Sequence, residues 1–374
     1  MSVILVTGGA GFIGSHIVDA LIEEGHTVRV LDTLEPQVHG QRTTPPDYLN
    51  PNAEFYHGSI DDPEILSKVL PGIDVLFHEA ALVGVGQSMY DINRYVEGNS
   101  RATAFMLEYL IHHPELRPSK LIVASSMSIY GEGAYQDSNN GPYNPRLRPR
   151  KQLEDNHWEI RDTQGREATP INTFEEKPLF PTSIYAVTKR DHEEMCLSVG
   201  YAYRIPTVAL RYFNVYGPRQ ALSNPYTGVG AIFSARLLNR KPPIIFEDGN
   251  QTRDFVHVSD IVQGNLLAMK SSRADYEAVN IGTGRPTSIL QIAELLSTYI
   301  GFSDKPLILG QFREGDIRHC YADITKAKTL LGYEPRVSIE QGIPELVGWV
   351  EQQKDVHDGS EQATEELRRW GLTE

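Results

Sequence analysis

Short apolar runs alternate with helix-length amphipathic stretches through the first half of this chain. Val3-Ile4-Leu5-Val6 is an unbroken apolar run, which predicts a buried strand, and Ser15 to Glu24 follows with helical spacing. The alternation then repeats. Strands are predicted over Thr27–Leu31, Ala53–His57, Asp74–His78, Leu121–Ala124 and Pro206–Arg211, with a helix over Arg94–Ile111. Strands joined by helical crossovers run parallel, so the expected fold is α/β, a doubly wound parallel sheet. The pattern lapses between Tyr130 and Tyr185, with 54 residues lying between them. Glu132 to Pro181 is rich in Gly, Asn, Pro and charge and has no clear period, so 132–181 is expected to be an inserted excursion near the mouth of a site. The sheet domain is expected to span 1–214 and to be completed by a helix and strand within 256–284. Residues 215–255 and 285–350 are left to form a smaller mixed lobe. The charged tail 351–374, with a short helix over Glu361–Trp370, is expected to be solvated and peripheral.

Composition narrows the classes. A formal charge of −14 with no basic run argues against a nucleic-acid surface. The apolar runs are of strand length, so no membrane span is expected, and with no leader pattern before Val3 a cytoplasmic protein is expected. Cys196 and Cys320 lack metal-ligand spacing and read as packed thiols. No metal site is expected.

The chemistry begins where the first strand ends. Thr7-Gly8-Gly9-Ala10-Gly11-Phe12-Ile13-Gly14 joins that strand to a helix. Glycines at these places allow a tight turn and close approach of backbone to a pyrophosphate, whose charge meets the helix N-terminus. Asp32 ends the second strand about 20 residues on, where an acid takes the ribose diol of an adenosine. No arginine follows it in sequence to take a 2′-phosphate, so NAD is expected rather than NADP; the plainer reading of Asp32 is a turn cap. Ser59 and Ile60, after the third strand, would border the adenine, and Ala80-Ala81 would let backbone lie against the cofactor. Tyr185 and Lys189 are four apart, on one face of a helix. An ammonium beside a phenol favours the phenolate, so Tyr185 is expected to titrate below its usual value of about 10 and act as a base.

Taken together, Thr-Gly-x-x-Gly-x-x-Gly, His78-x-Ala80-Ala81, Ser125-Ser126, Tyr130-Gly131, Tyr185-x-x-x-Lys189, Leu210 to Arg219, Arg253 to Asp260, Asn280 to Gly284 and Arg313-x-Gly315-Asp316 resemble the extended short-chain dehydrogenase/reductase family. The likeness runs over about residues 1 to 345. It implies an NAD-dependent enzyme acting on a nucleotide-diphosphate sugar. By resemblance Ser126, Tyr185 and Lys189 are catalytic. Gly8, Gly11, Phe12, Ile13, Gly14, Asp32, Ser59, Ile60, Ala80, Ala81, Asn99 and Ser125, with Tyr185 and Lys189, hold the cofactor. Ser126, Met127, Ser128, Asn214, Arg219, Arg253, Arg313 and Asp316 meet the substrate. Dehydratases of the family need an acid–base pair just after the active-site hydroxyl; Met127-Ser128-Ile129 stands there, which leaves 4-epimerisation. The stretches Gln220 to Val229 and Gly315 to Cys320 resemble those of epimerases acting on dTDP-L-rhamnose, with UDP-glucose/UDP-galactose, or a UDP-uronate, as the alternative; a dinucleotide sensor without catalysis is disfavoured because the Tyr–Lys pair and the arginines are all kept. The family also implies a homodimer through the helices carrying Asn99 and Tyr185, with Phe105 and Leu107 among the apolar residues buried between copies.

Overall fold

The structure, a computed structural model, describes residues 1–222, 224, 226, 228–353, 356 and 358–373. Seven parallel strands form the main sheet: β1 (Val3–Thr7), β2 (Thr27–Asp32), β3 (Glu54–His57), β4 (Val75–His78), β5 (Lys120–Ser126), β6 (Thr207–Tyr212) and β7 (Ala278–Ile281). Their spatial order is β7-β6-β5-β4-β1-β2-β3, all neighbours parallel. The order reverses beside β1, and in such a sheet that reversal opens a crevice at the carboxyl ends of β1 and β4. Both faces are covered. Ile4, Val6, Val28, Val30, Phe77 and Ile122 point into one apolar layer; Leu5, Leu31, Leu76, Leu121 and Val123 point into the other. Alternate residues going to opposite faces, each of them apolar, is why these strands read as continuous hydrophobic runs.

Helices α1 (Phe12–Glu23) and α2 (Pro63–Val69, capped by Asp62) follow β1 and β3. The helix expected over Arg94–Ile111 is not uniform. Ile92–Tyr95 is α-helical, Val96–Arg101 is a π-helical turn, and α3 runs over Ala102–His112. The wider turn places Asn99 inward, fully buried, where its amide bonds Leu82 N–H, Leu82 C=O and Thr188 Oγ1. The long α4 (Ile184–Tyr203) starts on Ser183, whose hydroxyl accepts from Ala186 N–H.

The smaller lobe is mixed, with short strands pairing both ways. Its core lies between α5 (Val229–Leu238), α7 (Ile289–Ile300) and α8 (Ile339–Glu351), while α6 (Val258–Lys270) packs on α1. The excursion contains order that the sequence pattern hides. Ala134–Gln136 pairs antiparallel with Pro142–Tyr143 and Thr169–Ile171, burying Tyr135, Ile160 and Ala168. The tail expected to be solvated instead docks. In α9 (Ser360–Arg369), Ala363 and Leu367 are buried, because the apolar residues of a mostly charged segment fall on one face. Among the described residues no helix is long and apolar enough to cross a membrane. Cys196 and Cys320 are buried free thiols, both pushed up to about 12 by burial.

Candidate active site

The turn from β1 to α1 leaves no room for a side chain at Gly8 or Gly14. A Cβ on Gly8, whose φ is +68°, would stand 2.8 Å from Ala80 N and Cα; one on Gly14 would stand 2.3 Å from Gly8 O. Backbone therefore meets backbone across the ends of β1 and β4. Gly11, at the helix N-cap, offers no side-chain cap to the first turn at Phe12, Ile13 and Gly14, so that end of α1 is open to an anion. At the end of β2, Asp32 accepts from Ala10 N–H (3.0 Å) and Leu34 N–H (2.8 Å). It thus caps the glycine turn, as the plainer reading had it, and each carboxylate oxygen keeps a lone pair for a ribose hydroxyl. Ser59 and Ile60 follow β3 beside it, through Gly58 N–H to Asp32 C=O (3.0 Å). A bare glycine cradle, an open helix terminus and an acid at the next strand fit a dinucleotide.

The reactive trio converges at the carboxyl end of β5. Ser126 Oγ accepts from Ser128 N–H (3.1 Å) and is bonded to Ser128 Oγ (2.9 Å). Tyr185 sits in the first turn of α4 with its N–H pinned to the buried Ser88 hydroxyl at 3.0 Å. Lys189, 4% exposed, donates to Ala124 C=O at 2.7 Å, so the fifth strand holds its ammonium. The expected lowering of Tyr185 is not found. Burial pushes its phenol up to about 12, with the Ser126 hydroxyl opposing. Lys189 is itself pushed down to about 8 by burial, opposed by the nearby Glu79 carboxylate. Loss of water costs both charged forms more than the lysine returns to the phenol.

Ser125 is not open to a ligand in the way expected, since its hydroxyl is given to Glu193 (2.7 Å), which also pairs with the buried Arg211. Met127 lies in the main core, 8% exposed. Asn214 opens the strand Asn214–Tyr216, and its buried Oδ1 has no partner among the described residues. Arg253 is braced by Thr252, Ile317 and Arg318 carbonyls, while Arg313 bonds Asp316 (2.8 Å) and lies 4.6 Å over the Phe246 ring. Arg219 does not belong with this pair. It bonds Asp19 of α1 at 2.7 Å and stacks on Tyr48, whose hydroxyl reaches Ala10 C=O. Its backbone at φ +69° turns it back toward the glycine turn.

Three groups escaped the sequence reading. Glu79, bonded to Tyr212 Oη at 2.9 Å, is pushed up to about 7 by burial and faces Lys189; its place directly after His78 was the available signal. Ser88 offers none. The third is a buried ion network: Arg148 pairs with Glu247, and Arg318 with Glu247, Asp248 and Glu159, which also meets His319. It fastens the excursion beneath the segment that carries Arg313 and Asp316. Two clefts, of about 690 Å³ beside Arg285 and Arg336 and about 600 Å³ beside Asn172 and Lys328, include none of the reactive trio.

The profile of the NAD dependent epimerase/dehydratase family matches residues 4–149 and 163–282. A dTDP-L-rhamnose 4-epimerase from Burkholderia thailandensis is 35% identical over 356 residues, 94% of this chain and 96% of that protein. Among solved structures, a UDP-glucose 4-epimerase from Thermotoga maritima with UDP-glucose is 35% identical, with a TM-score of 0.76 over 94% of this chain and 99% of its own. A UDP-glucuronic acid 4-epimerase from Bacillus cereus, in complex with UDP-glucuronic acid and NAD, is 32% identical over the same shares, also at 0.76.

Proposed function

The chain belongs to the NAD dependent epimerase/dehydratase family, and from that premise we propose that it inverts C4 of a nucleotide-diphosphate sugar, with dTDP-L-rhamnose as its substrate. One observation carries the choice of reaction. Ser126, Tyr185 and Lys189 gather at one strand end, and the residues beside them are Met127, Ser128 and Ile129 rather than a carboxylic acid. Such a site can take a proton from a hydroxyl and return it, but the segment after Ser126 offers no second acid to expel a neighbouring group.

In this reading the glycine turn, Asp32, Lys189 and the ends of β3 and β4 hold NAD. Bound NAD⁺ supplies a hydride acceptor for C4 and a positive charge near the phenol. Tyr185 takes the C4 hydroxyl proton, with Ser126 bridging the same oxygen. Because burial holds the phenol at about 12, its phenolate depends on positive charge, and Lys189 four residues along the helix is the chain's own source. Asn214, Arg253 and Arg313 take the diphosphate and Asp316 the nucleotide ribose. The sugar, a 4-ketone between the two hydride movements, must turn over before the hydrogen returns to its other face.

Rhamnose carries a methyl group at C6, which suits the thioether of Met127; a hydroxymethyl or carboxylate there would want a polar partner. Likeness to the dTDP-L-rhamnose 4-epimerase supports the same choice. UDP-glucose/UDP-galactose, or a UDP-uronate, is the second reading, favoured by the two solved structures. The test compares kcat/KM for dTDP-L-rhamnose, UDP-galactose and UDP-galacturonate under one set of conditions, with products assigned by NMR. The highest value is expected for dTDP-L-rhamnose; a higher one for either UDP sugar hands the assignment to the alternative.

We also infer a homodimer in which Ile92, Val96 and Val187, all exposed, are covered by the second copy. Leu107 takes no part, being 3% exposed within the monomer core, and Phe105 packs against that same core.

A further inference from the structure

The C-terminal segment holds residues of both the sheet domain and the smaller lobe. At its start, Asp358 pairs with Arg236, at the end of α5, and Glu361 with Lys241 at 2.9 Å. In its middle, one oxygen of Glu366 accepts from Tyr90 Oη at 2.7 Å and from Tyr226 Oη, and the two phenols touch at 2.6 Å. Trp370 stacks on the Tyr90 ring (centroids 6.0 Å apart, planes 12° apart). Leu367 lies on Gly86, where an added Cβ would meet it at 3.3 Å. At its end, Leu372 C=O accepts from Glu314 N–H, Thr373 Oγ1 donates to Phe312 C=O, and Thr373 bridges Arg313.

These anchor points are the ones the chemistry needs. Gly86 belongs to the short helix Val85–Ser88, and Ser88 holds the backbone N–H of Tyr185. Tyr226 belongs to the smaller lobe, and Arg313 is its candidate phosphate ligand. A single segment thus joins the support of the base to the support of the diphosphate. Glu366 fastens the middle: two half-buried hydroxyls converge on one carboxylate oxygen, and its charge-assisted bonds are stronger than neutral ones. The hydroxyls hold the carboxyl below the usual carboxylate range, so Glu366 is ionised where it acts.

We propose that residues 358–373 form a strap between the sheet domain and the smaller lobe that keeps the sugar nucleotide from leaving in mid-reaction, with Glu366 as its positioning residue. The inference rests on the epimerase reading, which explains why a strap is needed. Once C4–H and O–H have broken, hydride is on the cofactor and the proton on Tyr185. A ketone that escapes then leaves the chain with reduced cofactor and no turnover.

The experiment compares the full chain with Glu366→Ala, Glu366→Gln and a chain ending at residue 357. Dissociation of dTDP and of UDP is timed by stopped flow, and reduced cofactor on the protein is followed by its absorbance during turnover. Glu366→Ala is expected to release the nucleotide roughly tenfold faster and to accumulate reduced cofactor while melting near the full chain. Glu366→Gln, which keeps an acceptor oxygen, is expected to recover most of the retention. Release and cofactor state unchanged in Glu366→Ala overturn the strap, whether or not the shortened chain folds. If the full chain epimerises no sugar, the epimerase reading falls and nucleotide release alone decides the strap. Failure of both dTDP and UDP to bind overturns the two together.

Discussion

Gly14→Ala isolates the packing of the glycine turn from every other feature of the cofactor site. The new methyl would lie 2.3 Å from Gly8 O, 2.8 Å from Gly9 Cα and 3.0 Å from Gly8 C. All three are backbone atoms, so no rotamer relieves the contact. Carbon sits at about 3.5 Å or more from such neighbours, so the turn must move by roughly 1 Å against α1. Overpacking of this kind costs about 1–3 kcal/mol. The displaced backbone is also what meets the pyrophosphate, and a ligand present at a thousand times its Kd stabilises the folded chain by about 4 kcal/mol. The cofactor-loaded protein should therefore lose about 5–7 kcal/mol in all. Gly72→Ala is the control: its φ is +73° and nothing stands within 4 Å of the added carbon, so it bears backbone strain of about 1–2 kcal/mol without crowding. Purified proteins are denatured and NAD per chain is counted; melts are then run with and without added NAD. Gly14→Ala should hold little NAD and show no upward shift on its addition, whereas Gly72→Ala should hold its full share. A full complement of NAD on Gly14→Ala would refute the reasoning.

Tyr185→Phe should cut kcat by about 10²–10⁴ while leaving nucleotide-sugar binding, read by calorimetry, within a few-fold; near-normal turnover would remove Tyr185 from its role. Arg318→Met removes the cation that Glu247, Asp248 and Glu159 share, leaving Arg148 on Glu247 and His319 on Glu159, and should cost about 3–5 kcal/mol in urea unfolding, whereas a loss under 1 kcal/mol would show the network to be dispensable. His78, bonded to Thr7 and Thr103, is pushed down to about 3 by burial. The unfolded chain binds a proton there that the folded chain refuses, so this contribution is complete above pH 6.5 and is lost as pH falls towards 3. His78→Gln should flatten the stability slope in that window by about 1.4 kcal/mol per pH unit, and an unchanged slope would count against it. Val187→Asp should yield a monomer by light scattering if the exposed face of α4 joins two copies; a dimer that survives would place the interface elsewhere.

The sheet was legible because each buried strand is a short apolar run and each crossover has helical spacing. The glycine turn was legible because only one residue type tolerates backbone at 2.3 Å. What the pattern missed is held by single polar contacts that leave no period. Ser88 carries no sequence signal, yet it fixes the base's backbone. The π-helical turn at Asn99 contains only an isolated glycine, Gly98, and no proline, and a helical pattern tolerates that, so Arg94–Ile111 reads as one helix. The excursion is organised by ion pairs with Glu247 and Arg318, one of them 159 residues away in sequence, and no local window contains both partners. Arg219 looked like Arg253 and Arg313 by residue type; only its left-handed backbone and its Asp19 partner separate it from them. The Tyr–Lys spacing was read correctly as geometry, but spacing says nothing of desolvation, which here raises the phenol.

The sheet's last strand has a consequence for how the protein is made. On the ribosome, β6 is complete at Tyr212, but its outer neighbour β7 begins only at Ala278, after 65 intervening residues. At about 5–20 residues per second, the edge of β6 waits roughly 3–13 s for its partner. During that interval Val208 and Leu210, fully buried in the finished protein, lie on an unpaired edge without the α6 layer that later covers them. A nascent chain halted near residue 255 therefore presents an apolar, open strand. The gap between these two strands sets how long that edge stays open during synthesis.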